Sequence, residues 1–305
     1  IDPSIFEKCS LSVLYTPLNG TGNVPVRTVL SRMGVAADVV PEQENPDGNF
    51  PTCPFPNPEI KQVFELGLEM NKTINADLLL ATDPDCDRVG IAVPDDKGEP
   101  VLLSGNEVGA MLLNYILSER KAKGTLPSSA VAVKSFVSTD LAEVIAKKYN
   151  CTFKNLLTGF KYIGELITNL EEEGRASDFV MGFEESYGYL AGTHARDKDG
   201  VVSAMLICQM ASWYKAQGKS LIDGLNDIYA EYGYYLDALD PFVLKGIDGA
   251  EKIQHLMTDF RKKGTALFAG IEKVIDYSTG IDDLPIENVL KFVWGDGSWL
   301  AVRPS

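Results

Sequence analysis

The sequence predicts an α/β protein: two consecutive α/β domains with mixed, mostly parallel sheets flanked by helices, then a partial C-terminal α+β domain. Three observations predict it. Short β-branched, apolar runs alternate with segments of helical periodicity as far as Tyr189, which is the pattern of parallel strands joined by crossover helices. Turn-forming clusters rich in Gly, Pro, Asn and Asp separate them. From about Tyr234 the pattern changes to one long helical stretch followed by a hairpin signature about Gly295 to Gly297. The expected boundaries are 1–98, 99–233 and 234–305.

The elements follow in order. "LSVLYTPLNGTGNVPVRTVLSRMGVAADVV" reads as strand, Gly-rich turn, helix and strand, with Val26, Val29, Leu30 and Met33 at helical spacing. A Pro-rich connection runs from Pro41 to Pro58, where the missing N–H groups disfavour a helix. A helix is expected around Ile60 to Met70, then strands Asp77 to Ala81 and Val89 to Val93. The turn Asp95 to Pro100 marks the first boundary. "SGNEVGAMLLNYILSERKAKG" reads as a helix, "SAVAVKSFV" as a strand, and "STDLAEVIAKKYN" as a helix that Ser138, Thr139 or Asp140 could cap. Ile163, Leu166, Ile167 and Leu170 put an apolar stripe on a further helix. In the last region, "DALDPFVLKGIDGAEKIQHLMTDFRKKG" reads as strand, turn and helix. No internal repeat is visible.

Composition narrows the classes of function. The 305 residues are 45% hydrophobic, enough for a sizeable core. A formal charge of -15 argues against nucleic acid or an anionic membrane surface as a partner, so an anionic ligand needs a local basic cluster. Cys9, Cys53, Cys86, Cys151 and Cys208 lack CxxC spacing, as expected of reduced thiols in a cytoplasmic protein. No apolar run approaches a membrane span and no signal peptide opens the chain. The first residue is Ile1 and the first methionine is Met33, so a piece of a longer reading frame, or a trimmed product, is expected.

The strongest chemical signal is "LLLATDPDCDRVGIAV", Leu78 to Val93. On an extended backbone alternate residues point the same way, so Asp83, Asp85 and Asp87 would bring their carboxylates to one spot. Hard oxygen donors suit Mg²⁺ or Mn²⁺. Arg88 adds a forked donor shaped for a phosphate oxygen. An EF-hand would need Gly where Arg88 stands and Glu where Pro94 stands, and Cys86 has no nearby Cys or His to complete a thiolate site. An Asp-rich turn is the plain alternative. In "VMGFEESYGYL", Glu184, Glu185 and Ser186 at a strand end could bond sugar hydroxyls; a solvated acidic loop has the same composition. Lys161 near the amino end of "GFKYIGELITNL" opposes the helix dipole, a conflict that bound phosphate would relieve. "GTHARDKDG" gathers His194, Arg196 and Lys198 for proton transfer and anion recognition, or forms a mixed-charge surface loop.

Taken in order, "YTPLNGTG", "TDPDCDR", "TGFKYIG", "GFEESYGYL", "HARDKDGV" and the terminal "VRPS" resemble the α-D-phosphohexomutase superfamily, the phosphoglucomutases and phosphomannomutases. The resemblance implies a four-domain enzyme whose first three domains share a fold, with this chain covering domains two, three and part of four. It implies Mg²⁺ held by Asp83, Asp85 and Asp87, and substrate contacts from Arg88, Glu184, Ser186, Lys198, Arg303 and Ser305. Lys161 and His194 match residues of phosphate contact or proton transfer. The activity implied is Mg²⁺-dependent interconversion of glucose 1-phosphate and glucose 6-phosphate, or of mannose phosphates, through a phosphoserine and a bisphosphate, with glucose 1,6-bisphosphate as activator. The implied setting is a cytoplasmic monomer or homodimer with a sugar phosphate as partner. The family's serine precedes a His-Asn-Pro sequence, whereas the histidines here follow Thr193 and Gln254; no nucleophile is expected in this chain, nor a full catalytic cycle. The alternatives are a phosphopentomutase of the same superfamily, a non-catalytic sugar-phosphate binder and a Mg²⁺-dependent phosphatase. Asn19 stands where the family often has His.

Overall fold

A computed structural model describes residues 4–281 and 284–304. After a short helix α1 (Ser4–Lys8), the first sheet has the order β2-β1-β3-β4-β5, formed by β1 (Val13–Thr16), β2 (Ala37–Val39), β3 (Leu78–Thr82), β4 (Val89–Pro94) and β5 (Pro100–Leu103). β1 pairs in parallel with β2 and β3, and the β3–β4 and β4–β5 pairs are antiparallel. The helix α2 (Asn23–Arg32) crosses from β1 to β2 and buries Val26 and Leu30, one turn apart. α3 (Glu65–Ile74) leads into β3 and ends at Asn75, whose φ of 54° provides a left-handed stop.

The turn Asp95 to Pro100 lies after β4, within the first sheet. Asp95 N–H donates to Glu99 O, Gly98 takes a positive φ, and Pro94 faces Pro100. The turn is thus a hairpin that returns the chain to the same sheet, because so short a connection can only produce an antiparallel neighbour.

The second sheet has the order β7-β6-β8-β9, from β6 (Val131–Ser135), β7 (Thr152–Leu156), β8 (Phe179–Glu184) and β9 (Gly188–Ala191). Its pairings repeat those of the first: two parallel neighbours for β6, then an antiparallel β9 on β8. α4 (Gly105–Ala122) opens with a capping box in which Ser104 N donates to Glu107 Oε2 at 2.7 Å and Glu107 N to Ser104 Oγ at 3.2 Å. α5 (Leu141–Lys148) and α6 (Phe160–Glu172) follow β6 and β7. Of the expected caps for α5, Thr139 Oγ1 accepts from Leu141 N, while Ser138 turns to Glu185 and Asp140 to Lys134.

α7 (Gly200–Lys215) ties the two sheets together. It is apolar almost all round, a composition that belongs in an interior. Its residues pack with α1, α2, β3 and β4 as well as α4 and β9. Lys215 also donates to Ser10 O and pairs with Asp77 at 2.6 Å. One hydrophobic core therefore runs through α2, α4 and α7, and the larger compact unit extends to Asp237. The far faces of the sheets are covered separately, by Leu14, Phe64 and Leu79 on the first and by Val133, Ile163 and Ile167 on the second. Each such side chain contributes about 1.5–3 kcal/mol by leaving water. α8 (Leu221–Tyr232), with its own Ser220–Asp223 capping box, closes this unit.

The smaller unit begins at Ala238 and contains α9 (Gly246–Lys263) and an antiparallel sheet β10-β11-β12, formed by β10 (Ile271–Asp276), β11 (Leu290–Trp294) and β12 (Trp299–Val302). Met257, Ile271, Leu290 and Phe292 form its core. The expected hairpin is present as β11–β12. The strand expected before α9 is absent: residues 233–245 have no regular structure, Leu239 and Phe242 are exposed, and Pro241 removes a ladder donor where there is no pairing strand. Among the described residues no helix is long and apolar enough to cross a membrane.

Candidate active site

The aspartate loop joins β3 to β4. Asp83, Asp85 and Asp87 converge so that one carboxylate oxygen of each lies within 4.8 Å of the others. The convergence does not come from an extended backbone, as the sequence spacing suggests. Cys86 N donates to Asp83 O, Asp83 N to Arg88 O, and Cys86 sits at φ 60°. The loop is a tight turn, and the turn folds the carboxylates together.

Asp83 is buried, and its Oδ1 accepts from Asp87 N (3.1 Å) and Arg88 N (2.9 Å) while Oδ2 accepts from Arg88 Nε (2.7 Å). Burial raises its pKa to about 6, against the opposing effect of Arg88 and with a further push from Asp87. Arg88 also approaches Asp87 at 3.6 Å and Glu59 at 3.4 Å. Its guanidinium is the counter-charge built into the loop. Cys86 faces inward, where burial pushes its thiol up to about 12, so it offers no thiolate to a cation. The available donors are carboxylate oxygens, half-buried to exposed at Asp87 and Asp85, and this set fits Mg²⁺ or Mn²⁺.

The Glu184–Ser186 loop occupies the equivalent place in the second sheet, between β8 and β9. An antiparallel bridge links Arg88 to Gly188, and Val89 N donates to Tyr187 O at 3.1 Å, so the two loops lie side by side. Glu184 is buried at the end of β8, its Oε1 accepting from Gly159 N at 2.6 Å. That bond ties the amino end of α6, and with it Lys161, to the Glu184–Ser186 loop. The Lys161 ammonium lies 4.8 Å from the Tyr162 ring centre. Ser186 is half-buried two residues beyond Glu184.

Lys198 reaches across to the aspartates, with Nζ 2.9 Å from Asp87 Oδ2. Burial disfavours its charge, but Asp87, Asp197 and Glu184 outweigh that and raise its pKa. Gly188 makes this reach possible, since a Cβ there would lie 2.1 Å from Lys198 Cδ. His194 Nε2 lies 2.8 Å from Asp199 Oδ2, while Asp199 Oδ1 accepts from Val201 N and Val202 N as the cap of α7. Gly200 N donates to Cys86 O at 3.0 Å, docking the start of α7 on the aspartate loop. Arg196 instead belongs to the fold, pairing with Glu171 and bonding Thr168 on α6.

The structure thus brings Asp83, Asp85, Asp87, Arg88, Lys198 and the Glu184–Ser186 loop together. Arg303 is exposed just past β12 in the smaller unit, and Ser305 lies outside the described residues. Sequence reasoning left Asp199 without a role, although Asp before Gly-Val-Val is a helix-cap signal. It also passed over Lys134, fully buried between Asp140 (3.1 Å) and the carbonyls of Ser138 and Ser135, since nothing in "VAVKS" announces a buried charge.

Comparison with known proteins gives this geometry a family. Residues 4–98 match the phosphoglucomutase/phosphomannomutase alpha/beta/alpha domain II, and residues 104–232 match alpha/beta/alpha domain III. Phosphoglucomutase of Staphylococcus epidermidis is 36% identical over 309 residues, covering 97% of this chain, and that of Staphylococcus aureus is 35% identical over 312 residues, covering 98%. The chain spans 55% of the length of these relatives. Among solved structures, the open form of Paramecium parafusin, a phosphoglucomutase, has a TM-score of 0.69 at 16% identity, covering 99% of this chain and 52% of its own. A phosphoglucomutase/phosphomannomutase family protein of Burkholderia thailandensis has a TM-score of 0.66 at 17% identity, covering 99% and 56%. These two likenesses concern the fold. With family domains matched over most of its length and relatives above 30% identity along nearly all of it, the chain belongs to the phosphoglucomutase/phosphomannomutase family of the α-D-phosphohexomutase superfamily.

Proposed function

We propose that this chain is the cation- and sugar-holding part of a phosphoglucomutase that interconverts glucose 1-phosphate and glucose 6-phosphate through a phosphoserine and a bisphosphate. The observation that carries the reading is the convergence of three carboxylates beside Lys198 and the Glu184–Ser186 loop. Asp83, Asp85 and Asp87 would hold Mg²⁺, which when bound supplies neutralising charge to a transferring phosphoryl group.

The remaining roles follow from the contacts. Arg88 orients Asp83 and balances its charge. Lys198, kept cationic by the acids around it, offers a point charge to a phosphate oxygen. Glu184 and Ser186 hold sugar hydroxyls and orient the hexose. His194 is held at Nε2 by Asp199, which orients the ring toward proton transfer or phosphate contact. Lys161 on the first turn of α6 suits a phosphate, where helix N–H groups and the dipole add to its charge. The serine nucleophile and the rest of the phosphate site, to which Arg303 and Ser305 would contribute, are assigned to the remainder of a full-length mutase. Glucose 1,6-bisphosphate is the proposed activator, the cytoplasm the proposed location, and a monomer or homodimer the proposed state.

The test is phosphorus NMR of glucose 1-phosphate with Mg²⁺, a trace of glucose 1,6-bisphosphate and the protein of the complete reading frame. Growth of the 6-phosphate signal, abolished by EDTA, is the expected outcome, with no turnover by the 305-residue chain alone. No conversion of glucose, mannose or pentose phosphate, with binding retained, would replace this reading by a non-catalytic binder.

A further inference from the structure

The motif "TPLNGTG" has no assigned part in the site, and the structure places it behind the aspartate loop. Thr21 N (2.8 Å) and Thr21 Oγ1 (3.1 Å) both donate to Pro84 O. Gly20 approaches so closely that a Cβ would lie 2.5 Å from Pro84 Cα. The segment is itself anchored. Asn19 sits at φ 55°, its Nδ2 donates to Glu42 O and Asn45 O, and its backbone N–H donates to Gln43 O. A left-handed non-glycine residue persists only where its surroundings hold it. Asn19 is held from four directions, counting Asp47 N–H on its carbonyl.

The second sheet repeats the arrangement. The loop after β6 occupies the place of the loop after β1, and it supports the sugar loop as the first supports the aspartates. Ser135 Oγ donates to Glu185 Oε2 at 2.7 Å. Ser138 Oγ lies 3.0 Å from the same oxygen and accepts from Glu185 N at 3.0 Å. Behind them Lys134 Nζ donates to Ser138 O at 3.0 Å and pairs with Asp140. Both serines and the lysine are buried. In each sheet the central parallel strand sends its βα loop to brace the loop that follows its neighbour.

We propose that Thr21 and Ser138 are positioning residues in equivalent places: Thr21 fixes the aspartate loop for its cation, and Ser138 fixes the Glu184–Ser186 loop for its sugar. The inference rests on the function proposed above and adds how each loop is held. Neither residue touches a reacting atom. Each acts through the loop it braces, as outer-shell partners of metal ligands do.

The experiment is a crossed binding measurement on the full 305-residue chain. Mn²⁺ alone is titrated by electron paramagnetic resonance, and glucose 6-phosphate by calorimetry at saturating Mn²⁺. Thr21→Val should weaken Mn²⁺ about tenfold, at the lower end for an outer-shell change, because its N–H contact survives. It should leave glucose 6-phosphate within about twofold once Mn²⁺ saturates, and Thr21→Ser should restore Mn²⁺ binding. Ser138→Ala should do the converse, weakening the sugar phosphate about tenfold, the equivalent of one charge-assisted hydrogen bond, with Mn²⁺ unchanged. If that variant does not fold, Glu185→Gln, which weakens the same bonds from the other side, takes its place. Equal losses of both ligands in both variants would mean general loosening and overturn the proposal, as would wild-type affinities in both. Wild-type protein that binds neither probe overturns the proposed function and this inference together, whereas wild-type binding with uncrossed variants overturns the inference alone.

Discussion

Asp83→Asn is expected to stabilise the metal-free protein while removing its cation. The carboxyl of Asp83 is 1% exposed, and burial raises its pKa from 3.8 to about 6 even with Arg88 bonded to it. A rise of about two pH units corresponds to about 3 kcal/mol disfavouring the ionised form. The sign follows from proton counting. Between about pH 4 and pH 6 the folded state holds a proton that the unfolded chain has released, so stability falls as pH rises through that window. Above about pH 6 the whole cost is present. Asparagine keeps an acceptor for Asp87 N and Arg88 N and carries no charge, but its NH2 faces Arg88 Nε where Asp83 Oδ2 accepted, so the gain at pH 7.5 should be well below about 3 kcal/mol. Urea unfolding in EDTA at pH 7.5 and pH 5 measures the difference, which should shrink at the lower pH. With Mn²⁺ the difference closes: wild type gains about 2.7 kcal/mol at a hundred times its dissociation constant, and the variant gains little. An Asn variant that is less stable at pH 7.5 than wild type in EDTA, by as much as at pH 5, would refute a desolvated carboxylate at this position.

Other outcomes follow from single contacts. Gly188→Ala places a Cβ on Lys198 Cδ, a flexible chain that can move aside, so stability should change little in thermal melts. Lys198 should then leave Asp87, and glucose 6-phosphate affinity should fall several-fold in calorimetry; unchanged affinity removes Lys198 from the site. Glu184→Ala breaks the 2.6 Å bond that accepts Gly159 N, and loss of such a charge-assisted bond should cost about 1.5–3 kcal/mol in urea unfolding together with sugar binding. Asp199→Ser retains a good helix cap for α7 but withdraws the partner of His194. The chain has only two histidines, so nitrogen-15 NMR can follow His194 against His255: the protected Nε2–H signal should vanish in the variant, and its persistence would mean that Asp199 does not orient the ring.

Much of the fold was legible because its signals are local. The Ser104 box starts α4, within the stretch read as a helix, where a hydroxyl and an acid three residues on dictate it. The Val26–Leu30 and Ile163–Ile167–Leu170 spacings give α2 and α6 their buried faces. What escaped depends on partners distant in sequence. That the turn Asp95 to Pro100 makes a hairpin depends on the free edge of β4. The apolar segment before α9 has strand composition but no strand to pair with. For the candidate site, residue types sufficed to single out Asp83, Asp85 and Asp87, whose carboxylates converge. Their geometry was assigned to the wrong backbone, because a Cys at φ 60° cannot be read from "DPDCDR".

The repeated topology explains why these two loops gather the candidate site residues. No repeat shows in the sequence, yet β1, β2, β3, β4 and β6, β7, β8, β9 pair in the same order and sense. Parallel strands need only a continuous apolar run, which many sequences satisfy, so the strands could diverge while the pairing remained. In both sheets the loop after the third strand reverses direction to add an antiparallel neighbour. Such a loop must turn tightly, and a tight turn gathers side chains and backbone N–H groups at one point. In the first sheet that point collects three carboxylates, in the second a carboxylate and a serine. The Arg88–Gly188 bridge and the docking of Gly200 N on Cys86 O bring the two points together. Exchanging charge between the loops should therefore be more damaging than removing it. Asp87→Lys with Lys198→Asp restores the ion pair in reverse but places a positive charge among the proposed cation ligands. Mn²⁺ binding should be abolished in the double variant although its melting temperature recovers toward wild type, and retained binding would mean that Asp87 is no ligand.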